Sequence, residues 1–373
     1  MRANRSGPTW PLRAIPSRPS RRAAHLPRPR PPRAATPASS PSRRDSSLST
    51  APLARGRDRG EPVLVDSNQW DVIVIGGGSA GLSAALQLGR AGRRVLVIDA
   101  GEPRNRFAEH MHGVLGSDGL SPLEYLERGR EEIRHYGVAL HRGSVTTAAE
   151  EGQLLRVETA AGEAFLGRRV IAASGCRDGV ADVPGMGDRW GRDVLHCPYC
   201  HGWEFRGARL GVLASSSASI HQALLVRQWS ESLVFFNAEA GDLPVDVSTR
   251  LQARGVIVES RPPSRLVVSE DRLTGVELHG GDVIPVDALF TTPLLKSNEE
   301  YLDGLALERE ESKLGGFLRT DKAGRTSNPK VWAVGNVARP AETVPMVLAA
   351  GSAAGAAVNM DLIEEEFEAA LGG

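Results

Sequence analysis

Two of the chain's three cysteines stand two residues apart in His196-Cys197-Pro198-Tyr199-Cys200-His201-Gly202-Trp203-Glu204, with a histidine on either side. Cysteines so spaced close and reopen a disulfide with little backbone movement, and a neighbouring imidazole can hold the proton that decides whether a thiol attacks. The pattern C-x-x-C-H also spells a covalent c-type haem site, so the motif by itself leaves both uses open. Zinc is a third use of paired cysteines, but it wants two more ligands at finger-like spacing, and there is neither a second C-x-x-C nor an H-x-x-x-H. Haem attachment requires export, and no apolar signal core follows the basic residues at the start of the chain. A redox dithiol without a bound metal is the reading that remains.

The elements that must position this dithiol begin about 120 residues upstream. An apolar strand pattern at residues 71–75 runs into Gly76-Gly77-Gly78-Ser79-Ala80-Gly81, then a helical stretch over 82–91 and a second apolar strand, 94–99, ending in Asp99. Within this order of strand, glycine turn, helix, strand and acid, Gly76 permits the tight turn. Gly78 lets a pyrophosphate approach the backbone where Ser79 and Ala80 open the helix. Gly81 allows helix and strand to pack closely, and Asp99 can accept a ribose hydroxyl. In this full setting the turn predicts a dinucleotide site.

The 373 residues are enough for two domains with their own cores, and an apolar content of 41% suits a globular protein. The formal charge of zero hides an asymmetry: residues 1–60 carry 14 Arg against Asp45 and Asp58, leaving 31 basic and 43 acidic residues beyond. An acidic folded part argues against a nucleic-acid partner. No apolar run approaches the ~18 residues of a membrane span, so no membrane partner and a cytoplasmic location are expected. Residues 1–62, rich in Arg and Pro without periodic apolar residues, are predicted to be a disordered leader. A transit peptide and a basic tail are two readings of it. The chain's 41 Arg against four Lys, a bias expected of a GC-rich genome, favour a third, a start assigned too far upstream.

Beyond Asp99, residues 101–119 read as a loop over the nucleotide, 122–136 as an amphipathic helix opened by Ser121, and 138–166 as short strands. A strand at 169–173 ends in Ser174-Gly175-Cys176-Arg177-Asp178, and Val183-Pro184-Gly185 signals a linker. A second strand-helix-strand unit starts near Gly207 and is left through residues 288–292. The last buried strand pattern runs into Gly335-Asn336 and is followed by a helix of small residues over 344–357.

Laid out in this order, residues 71–361 resemble the low-molecular-weight thioredoxin reductase family of FAD-dependent pyridine nucleotide-disulfide oxidoreductases. Four motifs carry the resemblance: the turn at 76–81, Ala173-Ser174-Gly175 in place of A-T-G, the C-x-x-C, and Ala333-Val334-Gly335-Asn336 where the family has A-x-G-D. It implies an α/β fold of two Rossmann-like, three-layer ββα nucleotide-binding domains, the second inserted in the first. The FAD domain would span 63–184 and 293–373, and the inserted domain, 185–292, would carry the dithiol. It further implies a homodimer and noncovalent FAD held by Gly76, Gly78, Ser79, Ala80, Gly81, Asp99, Ala173, Gly175, Gly335 and Asn336. Asn336 would replace the family's ribitol-binding aspartate with a neutral partner. Cys200 would face the flavin, Cys197 would exchange with substrate, and His201 would take the place of the family's acid-base aspartate.

The inserted domain departs from the family where NADPH should bind. The expected G-x-G-x-x-A turn reads Ala214-Ser215-Ser216-Ser217-Ala218-Ser219, and the next strand ends Phe236-Asn237-Ala238-Glu239 without the arginines that hold a 2′-phosphate. A sound FAD site and dithiol beside a poor NADPH site resemble the fungal and actinobacterial dithiol oxidases, whose dithiol is also followed by His-Gly and an aromatic-Glu pair. That subgroup closes small-molecule disulfides of the gliotoxin, holomycin and depsipeptide type and passes electrons through FAD to dioxygen. An NADPH-dependent reductase of a thioredoxin-like protein, a ferredoxin-dependent reductase and a non-catalytic flavin sensor are the competing readings. Of the remaining candidates, His196 reads equally as proton carrier or packing residue, Cys176 as a small buried thiol, and His110 and His112 as surface loop histidines.

Overall fold

The computed structural model describes Arg13–Ala14 and residues 68–372, apart from 217–218, 239–240, 242 and 313. Its first sheet grows from the strand Gln69–Ile75, whose period-two alternation buries both faces. Val72 and Val74 face a core shared with helices Ser79–Arg90, Pro122–His135 and Val344–Leu371, whereas Ile73 and Ile75 face a second core around Leu155, Leu302 and Val331. Val95–Asp99 and then Ala139–Arg142 pair parallel on one side of it. On the other side, the second half of Ala164–Ala172 pairs parallel with it and with Val331–Ala333. Two antiparallel strands, Leu154–Thr159 and Val145–Glu151, complete the sheet. The residues read from sequence as separate strands at 164–166 and 169–173 are thus one nine-residue strand.

The helix Val344–Leu371 runs 28 residues, well past the small-residue stretch legible in the sequence. By length and composition alone it is apolar enough to cross a membrane, although no run of apolar residues in it is unbroken for that length. About a third of that apolar stretch is buried, and there packing accounts for the small residues. Gly351, Ala354, Gly355, Val358 and Leu362 are buried, and a Cβ on Gly351 would lie 2.1 Å from the carbonyl oxygen of Ala80. Small residues let this helix touch the backbone of Ser79–Arg90, and so hold the turn that precedes it.

The chain leaves the first sheet through Cys176–Val180 and returns through Leu294–Ser297, two crossing strands that pair antiparallel with each other. Arg13–Ala14 pair on the outer edge of Cys176–Val180, so at that point the leader does contribute structure; its other residues lie outside those described. Between the crossings a second sheet forms, five parallel strands in the order Ile257–Glu259, Leu233–Phe236, Leu210–Leu213, Ala288–Thr291, Val194–Leu195. A three-stranded antiparallel sheet, Pro263–Ser269 to Val283–Ile284, packs beside it. This is the two-unit, parallel-sheet α/β architecture expected from the sequence.

Candidate active site

The dithiol hangs from the edge of the second sheet. Val194–Leu195 is its outermost strand, His196 follows, and Cys197 caps a single turn of helix, Pro198–His201, begun by Pro198. Proline suits this first position because it has no amide to leave unpaired. Cys197 and Cys200 are joined as a disulfide with their Cα atoms 5.3 Å apart, and the Cys200 amide donates to Cys197 Sγ at 3.2 Å. Gly202 closes the turn where a Cβ would fall 2.6 Å from both the Pro198 carbonyl oxygen and the Trp229 ring. Tyr199 meets the same ring edge-on at 5.8 Å. Beside the disulfide, Tyr199 and Trp203 remain 74% and 64% exposed, with the Arg206 guanidinium stacked on Trp203 at 4.2 Å.

Both flanking histidines are held as neutral bases. Burial lowers the His201 pKa below its ordinary value; the Glu204 carboxylate opposes that shift and the His112 imidazole adds to it. Burial likewise lowers His196, reinforced by the Arg104 guanidinium and opposed by Asp178. The His196 ring lies 3.4 Å from the Thr291 carbonyl, and its own carbonyl accepts from Gln222 at 2.7 Å. His112 is not a bystander on a surface loop. Its Nδ1 lies 3.2 Å from Asp118 and its Nε2 3.5 Å from Glu204, so the 101–119 loop reaches the far side of the dithiol turn. His110 bonds only within that loop, to the Gly119 carbonyl at 3.0 Å.

Arg104 and Asp178, not singled out by any sequence motif, form an ion pair of 2.6 Å, Asp178 lying on the crossing strand Cys176–Val180. Arg104 further donates to Asn336 Oδ1 and the Pro340 carbonyl, each at 3.4 Å. An arginine within the predicted nucleotide loop and an acid just after the A-S-G strand end were the only signals, and both are common surface residues. Cys176, next to this pair, is buried, and burial pushes its thiol up to about 11.

The first glycine turn has the shape of an anion cradle. Gly76 takes φ +107°, and a Cβ there would lie 2.4 Å from the Ala173 carbonyl oxygen; one on Gly81 would lie 1.9 Å from that of Gly76. Gly78 meets nothing within 4 Å, and the helix begun by Ser79 and Ala80 has no side-chain cap, so its first amides face open space. Asp99 accepts from the Gly77 amide at 3.0 Å and pairs with Arg130 at 3.3 Å, fastening the turn from below. Gly175 and Gly335 both take positive φ, +70° and +72°, at the ends of the two neighbouring strands. The Asn336 amide nitrogen donates to the carbonyls of Arg339 (3.0 Å), Pro340 (3.3 Å) and Glu342 (3.1 Å). Three converging acceptors demand a donor, which is a physical reason for asparagine where the thioredoxin reductase motif has aspartate.

The second turn is built differently. The Ser215 amide is taken by Ser219 Oγ at 3.1 Å, Ser219 is fully buried, and Ser215 Oγ donates to the Thr292 carbonyl at 2.6 Å. Ser217, Ala218 and Glu239 lie outside the described residues. Thr292 Oγ1 in turn lies 3.4 Å from Gln222 Oε1, the residue that holds the His196 carbonyl. The turn therefore ends in a strut to the dithiol.

The sequence profile of the pyridine nucleotide-disulphide oxidoreductases matches residues 70–355. The chain belongs to that family. Among relatives of this oxidoreductase, thioredoxin reductase sirT of Leptosphaeria maculans is 32% identical over 317 residues, covering 80% of this chain and 96% of the relative. The crystal structure of HlmI superposes with a TM-score of 0.78 at 42% identity, covering 83% of this chain and 97% of HlmI. An oxidoreductase from Agrobacterium tumefaciens superposes at 0.75 with 38% identity, covering 79% and 99%. The oxidoreductase is thus a flavoenzyme of thioredoxin reductase type that exchanges electrons between thiols and a disulfide. Its first glycine turn fits FAD: the open face at Gly78 and the uncapped amides beside it suit a pyrophosphate.

Proposed function

We propose that this oxidoreductase closes a small dithiol to its disulfide and delivers the electrons through noncovalently held FAD to dioxygen, without a nicotinamide nucleotide. The observation that carries this reading is the Ser215 amide of the second turn, which the buried Ser219 takes. A pyrophosphate site needs free amides, and here the Ser215 amide donates to Ser219 Oγ instead. The exposed rings of Tyr199 and Trp203 beside the disulfide offer stacking surface to a small ring-bearing substrate.

The chemistry follows from the residues present. One substrate thiolate attacks Cys197 Sγ and Cys200 leaves as a thiolate; the second substrate thiolate then displaces Cys197, which closes the product disulfide. His201, neutral and adjacent, takes a thiol proton and so sustains the attacking thiolate. FAD, held at the first glycine turn, would supply a two-electron acceptor when Cys197 and Cys200 re-form their bond, and dioxygen would take up the two electrons with two protons as hydrogen peroxide.

Under argon, a small dithiol such as dithiothreitol should bleach the flavin through Cys197 and Cys200, and air should restore the colour with formation of peroxide. Excess NADPH or NADH should leave it oxidised. Rapid, saturable bleaching by micromolar NADPH would refute this reading and favour the reduction of a thioredoxin-like protein. Failure of both donors would point to ferredoxin or to an idle flavoprotein.

A further inference from the structure

We propose that His112, held between Glu204 and Asp118, carries the dithiol's proton from His201 to solvent. The inference rests on the dithiol reading above. Each turnover brings two thiol protons into the site; one accompanies the electron pair to the flavin, and the other must leave the dithiol by way of a base. His201 is the base at hand, but burial makes it a poor place for a charge to stay.

Two directions lead away from it. Through His196 the path ends against the Arg104 guanidinium, itself paired with Asp178, and a protonated imidazole there would sit beside a fixed cation. Through Glu204 the path is lined with carboxylates. Glu204 follows His201 by three residues and lies 3.5 Å from His112 Nε2, while Asp118, 62% exposed, lies 3.2 Å from His112 Nδ1. An imidazole with one nitrogen toward each carboxylate can accept a proton on one side and release it on the other.

The loop is shaped to hold that ring. The Met111 amide donates to the Leu120 carbonyl at 2.8 Å, Gly119 returns a bond to Met111 at 2.9 Å, and Gly113 donates to Asp118 Oδ1 at 2.8 Å. That last bond, followed by the one to His112, holds the Asp118 carboxyl below its usual range, so it stands ionised at the exit. The charged groups in contact with His112 are Asp118 of the loop itself and Glu204 of the turn after the dithiol, and His201 of the dithiol helix is near enough for the His112 imidazole to lower its pKa.

The test replaces His112 with Gln, and separately Asp118 with Asn, in the flavin-loaded full chain. Anaerobic flavin reduction by dithiothreitol should slow about tenfold at pH 7 in His112→Gln. In His112→Ala, added imidazole should restore it. A second readout avoids turnover: the pH dependence of iodoacetamide alkylation of the reduced protein. Beside His201 the His112 imidazole lowers its proton affinity and the Glu204 carboxylate raises it, so without His112 its inflection should move to higher pH. Asp118→Asn should slow reduction more weakly and leave flavin content intact. Unchanged rate and profile in His112→Gln would overturn the relay alone, as would a pH-independent loss without imidazole rescue and with reduced flavin content, which marks a structural role. Wild-type protein that no dithiol reduces would overturn the dithiol reading and the relay together.

Discussion

Replacing Gly78 with Val separates the cofactor's need for glycine from the fold's. The residue has φ −76° and ψ −177°, extended backbone that valine adopts readily, and its added Cβ would meet no protein atom within 4 Å. Valine is a poorer helix N-cap than glycine but narrows the unfolded ensemble, and the two effects, each about 1 kcal/mol or less, offset one another. The apoprotein should therefore melt within a few degrees of wild type. The flavin should not tolerate the change, because the isopropyl group fills the space in front of the uncapped Ser79 and Ala80 amides. Losing two charge-assisted hydrogen bonds, each about 1.5–3 kcal/mol, costs about 3–6 kcal/mol, or roughly 10²–10⁴-fold in Kd. The assay is the flavin-to-protein absorbance ratio after purification, a fluorescence titration of apoprotein with FAD, and the melting temperature of the apoprotein. A yellow variant with wild-type affinity would refute the placement of the pyrophosphate. A colourless one that melts far below wild type would show that Gly78 serves the fold.

Gly81→Ala should behave in the opposite way, lowering the melting temperature even without flavin, because its Cβ would sit 1.9 Å from the Gly76 carbonyl oxygen and overpacking costs about 1–3 kcal/mol; an unchanged apoprotein melt would contradict the close approach. Asn336→Asp sets a carboxylate against three carbonyl oxygens and should cost about 1–3 kcal/mol in urea unfolding; equal stability would mean that the loop readily turns away. With Cys176 raised to about 11, iodoacetamide at pH 8 should label reduced native protein only at Cys197 and Cys200, as mapped by peptide mass spectrometry. His196 and His201 have folded pKa values below the unfolded value of about 6.5, so the unfolded chain binds more protons on acidification. Their contribution to stability is present above about pH 6.5 and lost as pH falls toward the folded values. The melting temperature should decline from pH 7 to 5 less steeply in His201→Asn than in wild type.

Much of the site was legible because its requirements are local. The spacing of Cys197 and Cys200 is dictated by one turn of helix, and Gly76, Gly78 and Gly81 are dictated by one turn of backbone, so each shows in a short stretch of sequence. The serines at 215–219 were legible as an absence of glycine, but their positive role was not. That the Ser215 amide is satisfied by Ser219 depends on a side-chain direction that serine spacing alone does not give, and the brace from the turn to His196 runs through Thr292, 77 residues from Ser215 and 70 from Gln222. The full length of the last helix is not legible in the sequence because its second half is studded with acids, several of which pair with Arg93, in the turn before Val95–Asp99, and with Arg168 and Arg169 of the first sheet.

What the sequence determined by itself is the order of elements and the chemistry of the dithiol, since strand alternation, glycine turns and the C-x-x-C are contracts between near neighbours. What only the tertiary structure decided is the surroundings of that dithiol. Arg104 and Asp178 are 74 residues apart, and His112 and Glu204 are 92; each pair meets because a loop of the first sheet closes over elements reached through the crossing strands. The proton affinities of His196 and His201 follow largely from that closure, because burial is the largest influence on both and is set by the tertiary structure.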